Sequence, residues 1–214
     1  MIISRVMTKN PFFIHPDMPI NEVQSLLHAK KIGHLPVLDK NNALAGLLTK
    51  KDLIKAAPSS ATSLDMFEIS YLISKMTARD VMQKTVITVG ENEVVEEAAR
   101  IMADNDIGCL PVMREKLLVG IITDTDLFHF FLNAFGVRHP GVRITCSIPE
   151  KPGQLARLTP AIAEKGGNVV AFVTSEGDDM SHRRLTLKIS GISLQNAQAI
   201  IKSFPEIELE DIRE

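Results

Sequence analysis

Two stretches of the sequence place a threonine and an aspartate three residues apart after a short apolar run. The first is GLLTKKDL, with Thr49 and Asp52, and the second is GIITDTDL, with Thr123 and Asp126. A carboxylate can accept hydrogen bonds from adjacent hydroxyl groups such as those of a ribose, and a bond of this charged kind contributes about 1.5–3 kcal/mol. The same spacing is typical of a helix N-cap, in which the aspartate accepts from the helix's own N–H groups. The residues alone leave both interpretations open.

The two stretches belong to an internal repeat within the first 135 residues. Val6-Met7 aligns with Val81-Met82 at an offset of 75, and KIGHLPVL (31–38) aligns with DIGCLPVM (106–113) at the same offset. One residue is then lost in a turn, and the two threonine–aspartate stretches align at an offset of 74. A repeat of this period predicts one supersecondary unit per copy, packed against the other copy.

Each copy has the predicted element order β-α-β-β-α. Apolar residues at helical spacing predict a helix in PINEVQSLLHAKKI and another in VVEEAARIMADNDI. Gly33 and Gly108 follow these helices, where a left-handed helix end favours a residue without Cβ. Strands follow in HLPVLD, CLPVMR, LAGLLT and LVGIIT, and Asp52 and Asp126 are expected to begin the last helix of each copy.

The composition narrows the class of protein. The chain has 214 residues, of which 45% are hydrophobic and 23% charged, as in globular domains. A net charge of −2 gives no overall attraction to nucleic acid, and no apolar stretch is long enough to span a membrane. The two cysteines lie in unrelated contexts, so no disulfide framework is expected and the cytoplasm is the expected compartment. No residue pattern predicts a catalytic site or a metal site.

After Gly141 the pattern becomes that of a separate domain. VRITCSI alternates apolar and polar residues as a strand does, and PGQLARLTPAIAEK predicts a helix. VVAFVTSEG and RRLTLKIS predict a hairpin, LQNAQAIIKSF a second helix and IELEDIR a last strand. This β-α-β-β-α-β order is that of a split βαβ, ferredoxin-like fold.

The repeat resembles a tandem pair of CBS (cystathionine-β-synthase) domains, also called a Bateman module, over about residues 1–135. The paired IGxLP segments and the paired T-x-x-D-L segments carry the resemblance. It implies a regulatory, non-catalytic sensor of adenosine-containing ligands such as AMP, ATP, NAD or S-adenosylmethionine. The aspartate of each motif is then a ribose contact, and the threonine contacts ribose or phosphate oxygens.

The resemblance also implies one nucleotide cleft per module. The residues implied for cleft 1 are Asn10, Gly33, His34, Pro36, Thr49, Lys51 and Asp52. The residues implied for cleft 2 are Thr85, Gly108, Cys109, Pro111, Thr123, Thr125 and Asp126.

The residues inside the two T-x-x-D motifs differ in charge. Lys50-Lys51 occupy the first motif and Asp124-Thr125 the second. Ammonium groups attract phosphate and a carboxylate repels it, so the first cleft is expected to bind a phosphorylated nucleotide more tightly. The second cleft is then expected to take a nucleoside-like or cationic ligand, or to stay empty. The alternative is that the two lysines are only solvated charges at the start of a helix.

The C-terminal segment resembles an ACT domain, a small amino-acid-sensing module, over residues 142–214. PEKPGQLARL and GGNVVAF carry this resemblance. It implies an amino-acid site made by Gly153, Gln154, Leu155 and Asn168. Glu150 stands where the family usually has Asp, which changes the reach of the carboxylate by about one bond length. The alternative is that Gly153 only permits the strand-to-helix turn.

A CBS pair followed by an ACT domain is the architecture of the bacterial acetoin-utilisation regulatory proteins, which the chain resembles over its whole length. The expected fold class is α+β, with two β-α-β-β-α modules packed as a pseudo-two-fold pair and a βαββαβ ferredoxin-like domain after them. The expected domains are CBS module 1 at 1–57, a linker and crossing helix at 58–75, CBS module 2 at 76–135 and the ACT domain at 141–214.

Two functions remain open at this point. The first is a cytoplasmic, homodimeric sensor whose regulatory ligand is an adenine nucleotide or S-adenosylmethionine, with an amino acid as a second ligand at the ACT domain. Ligand binding would shift conformation or assembly, which requires unequal affinity for two states. The second is a non-catalytic dimerisation or adaptor protein with vestigial clefts. The sequence predicts no catalytic cofactor, metal, nucleic-acid or membrane partner, and it does not identify a protein target.

Overall fold

The structure is a computed structural model that describes residues 1–56, 65, 71 and 75–214. The chain forms two compact units, Met1–Leu127 and Phe128–Glu214. Unit 1 holds the sequence repeat, and unit 2 holds the ferredoxin-like segment. The linker and crossing helix expected at 58–75 lie outside the described residues, apart from positions 65, 71 and 75.

Unit 1 contains two similar sets of elements, as the repeat predicts. The first set is a 3-10 turn at Ile3–Arg5, β1 (Thr8–Lys9), α1 (Ile20–Ala29), β2 (His34–Leu38), β3 (Leu44–Thr49) and α2 (Lys50–Ala56). The second set is α3 (Ala78–Val81), β4 (Val89–Gly90), α4 (Val95–Asn105), β5 (Cys109–Arg114), β6 (Leu117–Thr123) and the start of α5 (Asp124–Ala134), whose residues after Leu127 belong to unit 2.

Helix α1 covers the β2–β3 hairpin through its apolar face. Val23 and Leu27 are almost fully buried, and they pack in one core cluster with Leu35 and Leu48 of the hairpin. Burial of each such side chain stabilises the fold by about 1.5–3 kcal/mol. The core therefore lies under α1, and it includes Leu48, the residue of β3 next to Thr49.

The two repeats exchange the segments that precede their first helices. Strand β1 pairs antiparallel with β6 of the other repeat, so that Thr8 lies opposite Ile121. At the equivalent position, Gln83 forms an antiparallel bridge with Leu47, and the two backbone hydrogen bonds are 2.9 and 3.0 Å long. Thr8 and Gln83 are repeat-equivalent, and so are Ile121 and Leu47, so the exchange is reciprocal. Leu47 and Ile121 also share a buried cluster with Cys109, which confirms that the modules pack as a pseudo-two-fold pair.

The glycine of each repeated strand lies under a methionine of the exchanged segment. A Cβ on Gly46 would lie 2.6 Å from Sδ of Met82 and 2.8 Å from the backbone oxygen of Gln83. A Cβ on Gly120 would overlap Sδ of Met7. Because only glycine leaves this space, the repeated glycine and the repeated Val-Met pair are two halves of one contact.

Two local expectations from the sequence are wrong. The left-handed residues that end α1 and α4 are Lys31 (φ 53°) and Asp106 (φ 51°), two residues before Gly33 and Gly108. The chain leaves each helix through a 6→1 backbone bond, from Ile32 to Leu27 in the first case (3.1 Å), so the turn is complete before the glycine. Helices α2 and α5 also begin two residues before Asp52 and Asp126, because threonine rather than aspartate is the N-cap.

Unit 2 has the predicted ferredoxin-like order. Its elements are β7 (Val142–Pro149), α6 (Gln154–Glu164), β8 (Asn168–Glu176), β9 (His182–Ser190), α7 (Leu194–Lys202) and β10 (Glu208–Arg213). The sheet order is β10-β7-β9-β8, with each neighbouring pair antiparallel. Val142, Ile144, Cys146 and Ile148 of β7 are buried, as their alternation predicts, and pack in one core cluster with residues of α6 and α7.

Candidate functional site

Thr49 and Asp52 form a hydrogen-bonded box where β3 passes into α2. The backbone N–H and the hydroxyl of Thr49 donate to Oδ2 of Asp52 at 2.8 and 2.6 Å. The Asp52 N–H in turn donates to the Thr49 hydroxyl oxygen at 3.3 Å, which completes a capping box. The second carboxylate oxygen, Oδ1, accepts from Nε2 of Gln83 at 3.0 Å. Asp52 is only 8% exposed, and both of its carboxylate oxygens have partners.

Thr123 and Asp126 form the same box where β6 passes into α5. The two bonds from Thr123 to Oδ2 of Asp126 are 2.8 and 2.7 Å long, and the return bond from the Asp126 N–H is 3.3 Å long. Asp126 is half-buried, and no hydrogen bond from the described residues reaches its Oδ1. The two carboxylates therefore differ in one respect: the second oxygen is occupied in Asp52 and open in Asp126.

A third T-x-x-D sequence shows what the motif does without a cleft. Thr77 donates through its N–H and its hydroxyl to Oδ2 of Asp80, both at 2.8 Å, at the start of α3. These bonds, the backbone one first, hold the pKa of the Asp80 carboxyl below its ordinary value. Asp80 lines neither of the two unit 1 cavities described below. Helix capping is thus confirmed as a role of the motif, and a cap by itself does not indicate a ligand.

A cavity of about 430 Å³, the Asp52 cleft, contains the first box. Its walls come from both repeats, since the end of β3 and the start of α2 meet the exchanged segment and the start of β5. The expected site residues found here are Gly33, His34, Thr49, Lys51, Asp52, Thr85, Gly108 and Cys109.

A second cavity of about 560 Å³, the Asp126 cleft, contains the second box. Strand β1 forms one of its walls, because β1 pairs with β6. The expected site residues found here are Asn10, Gly33, His34, Thr123, Thr125 and Asp126. Both volumes lie within the range of small-molecule sites.

The structure corrects the grouping of residues into clefts. Asn10 lies with Asp126 rather than with Asp52, and Thr85, Gly108 and Cys109 lie with Asp52 rather than with Asp126. The segment exchange accounts for Asn10 and Thr85, because it carries the segment before the first helix of each repeat to the other repeat's sheet.

Pro36 and Pro111 line neither cleft. Both are buried within the strands β2 and β5, where they pair with Leu47 and Ile121. They belong to the hairpins that support the clefts, and the structure does not bring them to the cleft surface.

Both clefts contain charges of both signs. The charged side chains of the Asp52 cleft are Lys50, Lys51, Lys55, Asp52, Asp106 and Asp124. Those of the Asp126 cleft are Lys9, Lys31, Asp124 and Asp126. The difference in charge between the clefts is therefore smaller than the residues inside the two motifs suggest, because Asp106 and Asp124 lie with the lysines in the Asp52 cleft.

His34 and Asp124 form a wall common to the two clefts, since each lines both cavities. Gly108 lies against this wall: a Cβ there would be 3.1 Å from Oδ2 of Asp124 and 3.8 Å from Nε2 of His34. Burial lowers the pKa of the His34 imidazole, with a smaller contribution from Lys50 and Lys51, while the carboxylates of Asp124 and Asp52 act in the opposite direction. A lowered pKa favours a neutral histidine in this wall.

Cys109 occupies the position equivalent to His34 and is 3% exposed. Burial, with smaller contributions from Asp124 and Asp52, raises the pKa of its thiol to about 12. The thiol is therefore protonated at neutral pH and does not supply a thiolate nucleophile.

In unit 2 a cavity of about 400 Å³ lies beside the turn before α6. It contains Gly153, Gln154 and Leu155 of the expected amino-acid site, and Gly153 is left-handed at φ 88°. Asn168, at the start of β8, is not among its lining residues. Glu150 and Arg183 both line it, with Oε2 of Glu150 3.3 Å from Nε of Arg183.

Among residues 1–56 and 75–214, no group of three or more His, Cys, Asp or Glu side chains is arranged to hold a metal ion. No helix in the described part of the chain is long and apolar enough to cross a membrane.

Family comparison decides the class of unit 1. The sequence model of the CBS domain matches residues 3–59 and 78–133, which is more than half of the chain. The chain belongs to the CBS-domain family. A second model, described as a TTHA0829-like ACT domain, matches residues 140–213, so the CBS pair is followed by an ACT domain. CBS and ACT families are regulatory and non-catalytic.

Solved structures resemble the CBS pair. A Vibrio cholerae protein described as an acetoin utilization protein (AcuB) is 30% identical, with a TM-score of 0.54, over 64% of this chain and 95% of that one. The CBS pair of protein MJ0100, solved with 5′-methylthioadenosine and S-adenosyl-L-methionine, is 28% identical, with a TM-score of 0.52, over 61% of this chain and 95% of that one.

Curated relatives match the same region of the chain. An L-aspartate semialdehyde sulfurtransferase of Methanocaldococcus jannaschii is 28% identical over 61% of this chain. A homoserine O-acetyltransferase of Methanococcus vannielii is 32% identical over 57% of this chain. The match spans only 23% of the length of each of these two relatives.

Sequence reasoning did not assign Gln83 or Arg183 to a site, and it placed the charge of Asp124 in the second cleft alone. Gln83 contacts Asp52, Asp124 forms the common wall, and Arg183 lies opposite Glu150. The alignment of the repeats carried a signal for Gln83, because it stands at the position that Thr8 holds in the other copy. Nothing in the local sequence indicated Arg183, which reaches Glu150 through strand pairing.

Proposed function

We propose that the CBS pair is a regulatory module that binds adenosine-containing ligands, of the AMP, ATP or S-adenosylmethionine type, in the Asp52 and Asp126 clefts. The protein acts without catalysis, in the cytoplasm and as a homodimer. Ligand binding changes conformation or assembly because the ligand has unequal affinity for two states. The ligand is a regulatory ligand and not a catalytic cofactor.

The two paired T-x-x-D boxes at the rims of two cavities support this proposal most directly. In each box the cap uses Oδ2, which leaves Oδ1 as the oxygen that faces a ligand. A carboxylate oxygen has two lone pairs and can accept from ribose hydroxyls. The complexes of the 28% identical MJ0100 pair, whose ligands both contain adenosine, support the same class of ligand.

Lysines give the Asp52 cleft its affinity for phosphate in this proposal. Lys50, Lys51 and Lys55 all line that cleft, and an ammonium group attracts a phosphate. The carboxylate of Asp124 lines both clefts, so it does not distinguish them. The Asp126 cleft has two lysines, Lys9 and Lys31, against three in the Asp52 cleft, and its proposed preference for adenosine derivatives with a neutral or cationic 5′ group rests on this difference.

Removal of one carboxylate charge at a time tests the ribose contacts. Asp52→Asn and Asp126→Asn should each weaken binding of AMP or S-adenosylmethionine at one cleft, by about 10- to 100-fold, as expected for a hydrogen bond to a charged group. Isothermal titration calorimetry measures the two affinities.

Asp80→Asn is the matched control, because the third T-x-x-D box has the same bonds and lines neither cleft. Its ligand affinity should equal that of the unchanged protein. If all three variants bind alike, the carboxylates are only helix caps. If no adenosine compound binds the unchanged protein, the adaptor function with vestigial clefts replaces the sensor.

The cavity of unit 2 supports an amino acid as a second ligand. Glu150 and Arg183 present a carboxylate and a guanidinium to one small cavity, which matches the ammonium and carboxylate groups of a free amino acid. Leu155 and Ile148 add apolar lining for a side chain.

A thermal-shift screen with the common amino acids tests this second ligand. An amino acid that binds the native state raises the unfolding midpoint, and the increase should disappear in both Glu150→Gln and Arg183→Gln. Absence of any shift in the unchanged protein leaves the turn at Gly153 with a structural role alone.

A further inference from the structure

Gln83 is joined to the Asp52 cleft through its backbone and its side chain. Its backbone is held by the two hydrogen bonds with Leu47, and its side-chain amide donates to Oδ1 of Asp52 at 3.0 Å. Thr49 already occupies Oδ2. The amide of Gln83 is therefore bonded to the oxygen that a ribose would need.

The other repeat lacks this contact. Thr8 occupies the equivalent position and pairs with Ile121 as Gln83 pairs with Leu47. The boxes themselves match to within about 0.1 Å, so the difference lies in the side chain at this one position. Threonine is shorter than glutamine, and among the described residues no hydrogen bond joins Thr8 to Asp126.

An amide N–H and a ribose hydroxyl are the same kind of partner for a carboxylate, since each donates one hydrogen bond to it. Oδ2 of Asp52 already accepts two hydrogen bonds and Oδ1 accepts one, so a single lone pair is left on the carboxylate. A ribose that donates through both its 2′ and 3′ hydroxyls must therefore displace the Gln83 amide, and for that bond it exchanges one donor for another. A ribose that enters the Asp126 cleft adds its bonds to an oxygen that accepts none from the residues that the structure describes. The gain from the ribose is smaller at Asp52 for this reason.

We propose that the Gln83 side chain occupies the position of the ribose hydroxyls. The Asp52 cleft therefore binds the nucleoside part of a ligand more weakly than the Asp126 cleft does. The inference rests on the proposed function and deepens it: a ligand without phosphate fills the Asp126 cleft first. The Asp52 cleft binds such a ligand more weakly, and a phosphate that engages the lysines offsets this loss. Gln83 thereby selects phosphorylated ligands through competition, in addition to the attraction of the lysines.

The position allows substitution without loss of the fold. The Gln83 side chain lies on the exposed side of the bridge, and the bonds that anchor the segment are backbone bonds that any residue except proline can make. Thr8 is exposed in the same way. The chain thus supplies a reciprocal pair of variants, Gln83→Thr and Thr8→Gln.

The experiment compares adenosine with 2′,3′-dideoxyadenosine, which lacks the 2′ and 3′ hydroxyls and keeps the 5′ hydroxyl. In an Asp126→Asn background, which leaves the Asp52 cleft dominant, Gln83→Thr should tighten adenosine binding about tenfold, equal to about 1.4 kcal/mol. The affinity for dideoxyadenosine should increase little, because it has no 2′ or 3′ hydroxyl to place on the released oxygen. Titration calorimetry gives the four dissociation constants.

The reciprocal variant is the matched control. In an Asp52→Asn background, Thr8→Gln should weaken adenosine binding at the Asp126 cleft and leave dideoxyadenosine nearly unchanged. If the glutamine acted only through its size, it would change the affinities for adenosine and dideoxyadenosine equally in each cleft.

Equal gains for the two probes, or adenosine binding that does not respond to Gln83→Thr, overturn the role of Gln83 and leave the proposed function intact. Failure of every variant and of the unchanged protein to bind adenosine or AMP overturns the proposed function and this inference together. The two failures are thus told apart by the unchanged protein alone.

Discussion

At the scale of single residues, the two oxygens of one carboxylate have different tasks. Oδ2 of Asp52 and of Asp126 closes the capping box of its helix, and this bond forms in every T-x-x-D sequence of the described chain, including that of Asp80. Oδ1 accepts a hydrogen bond from Gln83 in one repeat and has no partner among the described residues in the other. The structural and the ligand-binding interpretations of the motif are therefore compatible within one side chain.

His34 predicts a pH dependence of stability that belongs to this scale. Burial lowers the pKa of the imidazole in the folded state, whereas the unfolded value is about 6.5. The unfolded state then binds more protons below that pH, so the neutral-histidine contribution to stability is full above about pH 6.5 and is lost as the pH falls through the lower folded value.

Urea unfolding of the unchanged protein and of His34→Gln, measured between pH 8 and pH 5, checks this prediction. The free energy of unfolding of the unchanged protein should fall more steeply below pH 6.5 than that of the variant. Parallel curves for the two proteins would show that the imidazole titrates alike in the folded and unfolded states.

At the scale of elements, the exchanged segments hold the two modules together. Each Val-Met pair crosses to the other repeat, and its methionine lies over the glycine of the repeated strand, Met82 over Gly46 and Met7 over Gly120. The same exchange brings Thr85 and Gln83 to the Asp52 cleft and Asn10 to the Asp126 cleft. The assembly of the pair and the composition of the clefts therefore depend on one set of contacts.

Alanine at either glycine should destabilise unit 1 by about 1–3 kcal/mol, the range typical of overpacking. Gly46→Ala should cost more than Gly120→Ala, because its Cβ also meets the backbone oxygen of Gln83 at 2.8 Å, whereas the atoms nearest Gly120 are all in the Met7 side chain. Chemical denaturation of both variants measures the difference.

Met7→Ala in the Gly120→Ala background provides the control, since it removes the atoms that overlap. The double variant should be more stable than the sum of the two single effects predicts. Gly90→Ala, where a Cβ meets no atom within 4 Å, should change stability far less than either of the other glycine variants.

At the scale of the whole molecule, the two compact units have separate cores and separate cavities. The core of unit 2 contains residues of β7, β9, α6 and α7, and none of unit 1. All residues that line the Asp52 and Asp126 clefts lie in unit 1, and those that line the cavity with Glu150 and Arg183 lie in unit 2. A ligand of one class should therefore stabilise one unit directly.

Calorimetric unfolding with and without ligand checks this expectation. An adenosine ligand at 100 times its dissociation constant should stabilise unit 1 by about 2.7 kcal/mol and raise the midpoint of its transition. Tryptic digestion at the midpoint and mass spectrometry of the fragments identify which unit is protected. Equal protection of residues 142–214 would contradict the independence of the two units.

The sequence by itself determined the repeat, the α+β class, the ferredoxin-like order of the last segment and the four residues of the two boxes. These follow from patterns within a few residues of each other, such as the i, i+3 spacing of Thr49 and Asp52, whose bonds close within one turn of helix. The ACT strands were also predictable, because alternation in β7 places Ile144 and Cys146 on one buried face.

Only the tertiary structure decided which residues share a cleft. The hydrogen bond between Gln83 and Asp52 joins positions 31 residues apart in the sequence. The ion pair of Glu150 with Arg183 joins the turn after β7 to strand β9. Local periodicity is the same whether a first strand pairs with its own repeat or with the other one, so it cannot distinguish the two arrangements. The packing of Met7 and Met82 over the two glycines distinguishes these arrangements. The observed arrangement brings the Gln83 amide to Oδ1 of Asp52, whereas Oδ1 of Asp126 has no hydrogen-bond partner among the described residues.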